Sequence, residues 1–157
     1  MRKLMLMRHA KADDQYEGSD LSRPLTEEGV AIQNEVVKHL KDKSIEIDAI
    51  IYSPYKRAHD SALIVQENYP EAFFYKEPAL GTVFDSYTVL RYLKKKKFNN
   101  VLVVGHAPTL SAFALSLLKD PKPLEFDKSG LAIFDFKDHI EFGQGHLSFF
   151  LSPSSTL

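Results

Sequence analysis

Residues 101–108 read VLVVGHAP, four apolar residues in succession followed by glycine, histidine, alanine and proline. A short, uninterrupted apolar run rich in valine is typical of a strand that is buried on both faces of a sheet. The glycine and proline after it predict that the strand ends there and that the chain turns into a helix, which ends near Leu118. His106 is therefore predicted to lie at the carboxyl end of a buried strand.

Two other apolar runs end in a similar way. Residues 3–7 form a short run that leads directly into Arg8 and His9, and residues 49–52 form a run that leads into Ser53. Because each run is short and is followed by polar or turn-forming residues, both are predicted to be buried strands of the same sheet.

Helical patterns alternate with these strands. Thr26 is predicted to cap the helix after the first strand, and Ser53 to cap the next helix with Pro54 at its first position. A short third strand at residues 73–75 precedes a helix predicted for residues 85–95. This alternation predicts an α/β fold, a three-layer sandwich with a mainly parallel central sheet.

The last thirty residues follow a different pattern. Aromatic and polar residues alternate at 133–136 and 147–150, which predicts an antiparallel C-terminal hairpin. The tail at residues 152–157 is expected to be frayed. Because no repeat or domain boundary is visible, we predict a single domain over residues 1–157.

The composition narrows the classes of function. The chain has 20 lysines and arginines, 21 acidic residues and no cysteine. Its near-neutral charge gives no argument for binding nucleic acid or a membrane, and thiolate nucleophiles, thiolate metal sites and disulfides are excluded. The apolar run near the amino terminus is too short for a signal sequence or a membrane span. We therefore expect a cytoplasmic protein, and we expect it to be a monomer.

The strand ends carry the chemistry. Ligands of an open parallel sheet bind at the carboxyl edge of its strands, where Arg8, His9, Arg57 and His106 are expected to meet. Arginine matches the geometry of phosphate oxygens and keeps its charge. A neutral imidazole that is hydrogen-bonded through one nitrogen presents the other as a nucleophile. This scheme needs neither a metal nor a cofactor.

Four motifs, in this order, resemble those of the histidine phosphatase superfamily, the phosphoglycerate mutase-like proteins. They are LMRHAKA at 6–12, RPLTEEG at 23–29, SPYKRAHDSA at 53–62 and VVGHAP at 103–108. The short chain and the pairing of RHAKA with RPLT look most like the SixA-type phosphohistidine phosphatase branch. The resemblance implies a phosphoglycerate mutase-like fold.

The resemblance also implies a role for each matching residue. His9 would be the nucleophile and would carry a phosphohistidine intermediate, while Arg8, Arg57 and His106 would bind phosphate. Arg23 matches an arginine of the SixA branch that lines the pocket. The expected substrate is protein phosphohistidine. The alternatives are a small phosphoester, or a module that binds a phospho-ligand with little turnover.

The proton donor is less evident from the sequence. Superfamily members that act on alcohol phosphates usually carry a glutamate or aspartate for this purpose, and no segment here reproduces that motif. Asp85 is the candidate and Glu77 the fallback, although Asp85 also fits a helix cap. A functional His59-Asp60 dyad is not expected, because adjacent helical residues point in different directions. Loops 13–22 and 76–86 are expected to set substrate choice.

Overall fold

The computed structural model of the protein describes residues 1–153, which form a six-stranded sheet and four α-helices. The strands are β1 (Arg2–Arg8), β2 (Ala49–Tyr52), β3 (Phe73–Lys76), β4 (Asn100–Gly105), β5 (Leu131–Phe136) and β6 (His146–Leu151). The helices are α1 (Glu27–Asp42), α2 (Lys56–Asn68), α3 (Ser86–Lys96) and α4 (Thr109–Leu117). Every strand and helix named from the sequence is present.

The strand order is β3-β2-β4-β1-β5-β6. The first four strands are parallel, β5 pairs antiparallel with β1, and β6 pairs antiparallel with β5. The predicted α/β sandwich with a mainly parallel sheet and a C-terminal antiparallel hairpin is confirmed. In the central pair, Arg8 of β1 lies opposite Gly105 of β4. The residues that follow, His9 and His106, are therefore brought side by side.

The sheet separates two apolar cores, because successive side chains of a strand point to opposite faces. In β1, Leu4 and Leu6 pack into the core formed with α3 and α4, whereas Met5 and Met7 pack into the core formed with α1 and α2. β2 and β4 alternate in the same manner. Both faces of the strands that lead to the candidate site are thus tightly buried.

The loop after β1 is held against the start of α1. Thr26 caps this helix as predicted, since its Oγ1 accepts a hydrogen bond from Gly29 N at 2.9 Å, and its own N–H donates to Lys11 O at 3.0 Å. A Cβ on Gly29 would lie 2.3 Å from Lys11 O. Only glycine permits this close approach of helix and loop, which fixes the position of the chain directly after His9.

Two expectations from the sequence are corrected here. Helix α2 begins at Lys56 and is capped at Tyr55; the predicted cap, Ser53, instead places its hydroxyl 2.7 Å from a ring nitrogen of His106. The predicted fraying of the tail is wrong for residues 152 and 153: the Ser152 hydroxyl hydrogen-bonds to the Asp127 carboxylate and Pro153 is buried. Residues 154–157 of that tail lie outside the described part of the chain.

No helix within residues 1–153 is both long enough and apolar enough to cross a bilayer.

Candidate active site

The carboxyl ends of β1 and β4 and the start of α2 meet around a cavity of about 250 Å³. Five residues predicted from the sequence line it together: Arg8, His9, Arg23, Arg57 and His106. The remaining lining residues are Ala12, Asp14, Thr82, Ala107 and Lys128. Loops 13–22 and 76–86, expected to set substrate choice, contribute Asp14 and Thr82. The cavity is strongly cationic although the whole chain carries a net charge of −1.

His9 is held as a neutral imidazole with one nitrogen available. Its Nδ1 lies 2.7 Å from the carbonyl oxygen of Ala10, and because a carbonyl can only accept, Nδ1 carries the proton. Burial lowers the pKa of His9 to about 3. Nε2 therefore keeps its lone pair at neutral pH, and it accepts a hydrogen bond from Nε of Arg57 at 3.3 Å. This arrangement is the one that a histidine nucleophile requires.

His106 contacts the hydroxyl of Ser53. Its Nε2 lies 2.7 Å from Ser53 Oγ, and that hydroxyl also accepts from the N–H of Tyr55 at 3.3 Å. When the hydroxyl donates its proton to Nε2, the neutral ring carries its own proton on Nδ1 and can donate it to a ligand. Nδ1 is buried and has no hydrogen-bond partner among the described residues. Burial, followed by the positive charge of Arg57, lowers the pKa of His106 to about 4.

The two arginines differ in their partners. Arg8 donates from Nη1 to the Phe126 carbonyl at 3.0 Å, but its Nε is buried and has no partner within residues 1–153. Arg57 is only 5% exposed, lies over the ring of Tyr55 and hydrogen-bonds to both His9 and Asp20. Unpaired buried donors are rare in folded proteins. Nε of Arg8 and Nδ1 of His106 together fit an anion with several acceptor oxygens.

Ser61 connects the nucleophile loop to the helix that carries Arg57. Its hydroxyl accepts from Ala10 N at 2.8 Å and donates to Arg57 O at 2.7 Å. Since Ala10 also supplies the carbonyl that orients the ring of His9, one buried hydroxyl sets the relative position of the histidine and the arginine.

Arg23 both lines the cavity and forms salt bridges within its loop. Its Nε lies 2.9 Å from Asp20 Oδ1, and its Nη1 lies 3.0 Å from Asp14 Oδ1. Neither aspartate is among the site residues predicted from the sequence. The available signal was their position in the loop that was expected to set substrate choice.

The two carboxylates expected to donate a proton do not line the cavity. Asp85 is exposed and caps α3, where its carboxylate accepts from Tyr87 N at 3.2 Å and from Thr88 Oγ1 at 3.0 Å. Glu77 accepts from the N–H of Ala79 at 3.2 Å. The alternative interpretation of Asp85 as a helix cap is confirmed, while proton donation by either residue stays a prediction.

The geometric reason for rejecting a His59-Asp60 dyad is wrong, although neither residue lines the cavity. Nδ1 of His59 lies 2.9 Å from Oδ1 of Asp60, so neighbouring helical side chains do reach each other here. The His59 ring packs against Tyr52 and Phe74, away from the cavity lining.

In the part of the chain that the structure describes, no group of three or more histidine, aspartate or glutamate side chains could hold a metal ion.

Comparison with known proteins finds similarity to one family. The model of the histidine phosphatase superfamily, branch 1, matches residues 4–79. The fold is similar to that of the protein histidine phosphatase SixA solved with tungstate, with a TM-score of 0.85, 25% identity and 99% of each chain covered. No curated protein sequence matches the chain.

Two further solved structures show the same fold. A SixA protein from Agrobacterium tumefaciens is 24% identical, with a TM-score of 0.80 over 97% of this chain and 98% of that one. A phosphoserine phosphatase from Entamoeba histolytica is 18% identical, with a TM-score of 0.72 over 100% of both chains.

Proposed function

We propose that the chain, whose residues 4–79 match the model of the histidine phosphatase superfamily, belongs to that superfamily and removes the phosphoryl group from protein phosphohistidine by way of a phosphohistidine intermediate on His9. The observation that carries the proposal is the state of His9. Its Nδ1 is bound to a backbone carbonyl and its Nε2 is unprotonated beside Arg57. A site that only binds phosphate needs cations but has no use for a poised lone pair.

The proposed reaction has two phosphoryl-transfer steps. In the first, the lone pair of His9 Nε2 attacks phosphorus, an N–P bond forms, and the bond between phosphorus and the leaving group breaks with its electron pair on the leaving group. In the second, a water molecule attacks the same phosphorus and gives one proton to solvent, while the N–P bond breaks with its electron pair on Nε2. Inorganic phosphate is released and neutral His9 is restored.

Charge that develops on the phosphoryl oxygens needs donors that are already in place. Arg8 offers its unpaired Nε and His106 its unpaired Nδ1, and both atoms are buried. Arg57 adds a guanidinium that is in contact with the nucleophile itself. Because these donors are fixed by packing, little reorganisation accompanies the transition state.

The chemistry of the leaving group favours a phosphoramidate, and not an alcohol phosphate, as the substrate. Asp14 and Asp20, two carboxylates near the cavity, are both engaged by arginines, and Asp85 and Glu77 do not line it. An alkoxide leaves phosphorus poorly without a proton donor, whereas imidazole leaves readily. The similar fold of SixA, a protein histidine phosphatase, supports the same choice of substrate.

A rate comparison tests this proposal. The purified protein is assayed on a phosphohistidine-bearing protein and on a panel that contains phosphoserine, an alkyl phosphate and an aryl phosphate, each with and without chelator. We expect kcat/KM for phosphohistidine to exceed that for alkyl phosphates by a factor of about a hundred or more, and we expect chelator to have no effect. Preferred hydrolysis of an alkyl phosphate would contradict the substrate assignment, and inactivation by chelator would contradict the chemistry.

A monomeric state and a cytoplasmic location stay predictions from the sequence.

A further inference from the structure

Arg57, which the proposed mechanism needs for the phosphoryl oxygens, is already occupied by a carboxylate of the same chain. Its Nη1 donates to the backbone oxygen of Asp20 at 2.9 Å and lies 3.3 Å from Oδ1, and its Nη2 lies 3.4 Å from Oδ2. The third donor, Nε, is directed at His9. All three nitrogens of this buried guanidinium are therefore engaged before any substrate arrives.

The carboxylate of Asp20 belongs to a part of the chain that can move without disturbing either core. Asp20 begins a short 3₁₀ turn, Asp20–Ser22, in which no residue is buried. The Asp20 side chain is 60% exposed, against 6% for that of Arg57. Because no residue of the turn is buried, its departure from Arg57 would uncover no buried apolar side chain of the turn, whereas Arg57 is fixed within α2.

Asp20 is also an anion under the conditions in which the protein works. The hydrogen bond from Nε of Arg23 lowers the pKa of Asp20, and the charge of Arg57 acts in the same direction. A phosphoryl group carries a similar set of acceptor oxygens and prefers the same forked donors. The carboxylate and the phosphoryl group thus compete for Nη1 and Nη2.

We propose that Asp20 is an internal competitor of the substrate's phosphoryl group for Arg57. In the resting protein its carboxylate holds the guanidinium in the orientation that contacts His9, and a phosphoryl group displaces it on binding. The same exchange returns the carboxylate when inorganic phosphate leaves, so Asp20 weakens product binding as well as substrate binding. This inference rests on the proposed function, because it takes Arg57 to be a phosphate ligand.

The test is direct binding of inorganic phosphate and of tungstate, measured by calorimetry at constant ionic strength. The variants are Asp20→Asn and Asp20→Ala, compared with Glu17→Gln. Glu17 lies in the same loop and carries the same charge, but makes no hydrogen bond or ion pair within the described chain. Both Asp20 variants should bind the anions about fivefold more tightly or better, the scale of one partly exposed ion pair. Glu17→Gln should stay within about twofold of the wild type.

Kinetics give a second readout that a structural role would not produce. Both Asp20 variants should show a lower KM and stronger inhibition by phosphate. Weaker or unchanged anion binding in both variants would overturn the inference, since Asp20 would then only orient Arg57 or have no role there. A fall in kcat confined to poor leaving groups, with KM unchanged, would also overturn it and make Asp20 a proton donor. If the wild type binds neither anion, the proposed function fails together with this inference; if it binds them and the variants do not differ, this inference alone fails.

Discussion

The central strand has an arginine at each end, and each arginine lines a cavity. Arg2 starts β1 and lines a cavity of about 310 Å³ with Lys94, Lys97 and His139, while Arg8 ends β1 and lines the candidate active site of about 250 Å³. The two cavities are similar in size and both are cationic. Residue counts alone would not tell which of them binds phosphate.

The two cavities differ in whether the hydrogen-bond donors of their arginines already have acceptors within the protein. Nε and Nη1 of Arg2 donate to the carbonyls of Asp138 at 3.0 Å and Phe98 at 2.8 Å, and Lys94 is paired with Glu141 at 2.5 Å. In the other cavity, by contrast, Arg8 keeps its Nε unpaired. An unpaired buried donor is costly, so the free Nε of Arg8, in the cavity that His106 also lines with a free Nδ1, favours an anionic ligand there. Free buried donors, more than positive charge, therefore mark the phosphate site.

Exchanging each arginine for alanine should separate the two cavities most sharply. Arg8→Ala should lower kcat/KM by about a hundredfold or more, the usual effect of losing one fixed donor to a transition-state oxyanion. Arg2→Ala should leave kcat/KM within about twofold and lower only the free energy of unfolding, because it removes contacts to backbone carbonyls. Steady-state assays and urea unfolding check the pair. Comparable losses of activity in both variants would remove the distinction between the cavities.

The next largest effect concerns the orientation of His106. Ser53→Ala removes the hydroxyl that is hydrogen-bonded to Nε2, so the ring loses the side-chain partner that orients it. We expect kcat/KM to fall about fivefold, the value of one neutral hydrogen bond. Ser53→Thr, which keeps the hydroxyl, should recover most of the activity. If threonine were as poor as alanine, Ser53 would be acting by packing alone.

Acid should destabilise the protein through its two buried histidines. The pKa values of His9 and His106 are lowered to about 3 and about 4, below the value near 6.5 that applies in the unfolded chain. Between about pH 4 and 6.5 the unfolded state therefore binds more protons, and the free energy of unfolding falls as the pH falls. Each histidine should contribute about 1.4 kcal/mol per pH unit in this range.

Urea unfolding of the wild type and of His106→Gln at pH 7 and pH 5.5 measures this contribution. The variant should lose about half of the pH dependence that the two histidines produce, because His9 remains. An equal dependence in both proteins would show that His106 is not held neutral by burial.

The smallest effect is expected at Asp85. Loss of the cap in Asp85→Ala should lower the free energy of unfolding by about 1 kcal/mol and should change activity on aryl phosphate, alkyl phosphate and phosphohistidine by the same small factor. Thermal unfolding and assays on the three substrates decide the matter. A rate loss on alkyl phosphate that greatly exceeds the loss on the other two substrates would identify Asp85 as the proton donor after all.

The strands and the positions of their ends could be predicted because they depend on short apolar runs and local turn residues. β1, β2 and β4 each have such a run, and the parallel sheet then places His9 beside His106 without further information. The cap at Thr26 was likewise a local matter. For these elements the sequence period and the turn chemistry point to the same structure.

The polar contacts around the cavity could not be predicted, because they join residues that are distant in the chain. Ser53 was expected to cap a helix, yet its hydroxyl contacts His106, 53 residues away. Asp20 contacts Arg57 across 37 residues. No periodicity or turn signal in the sequence predicts such a contact, since it depends on how two segments that are distant in the chain lie next to each other in the folded protein.

The most direct test of the account is to trap the phosphorylated protein. Wild type is mixed with labelled phosphohistidine substrate, quenched within milliseconds in alkali, and its label is located by peptide mapping. The account predicts a base-stable, acid-labile phosphoryl group on His9 of the wild type. Folded His9→Ala should carry no label and should keep less than about a thousandth of the activity. His139→Ala, whose substitution lies in the other cavity, should be labelled normally. Activity of His9→Ala above about a tenth of wild type, or label on any other residue, would contradict the account.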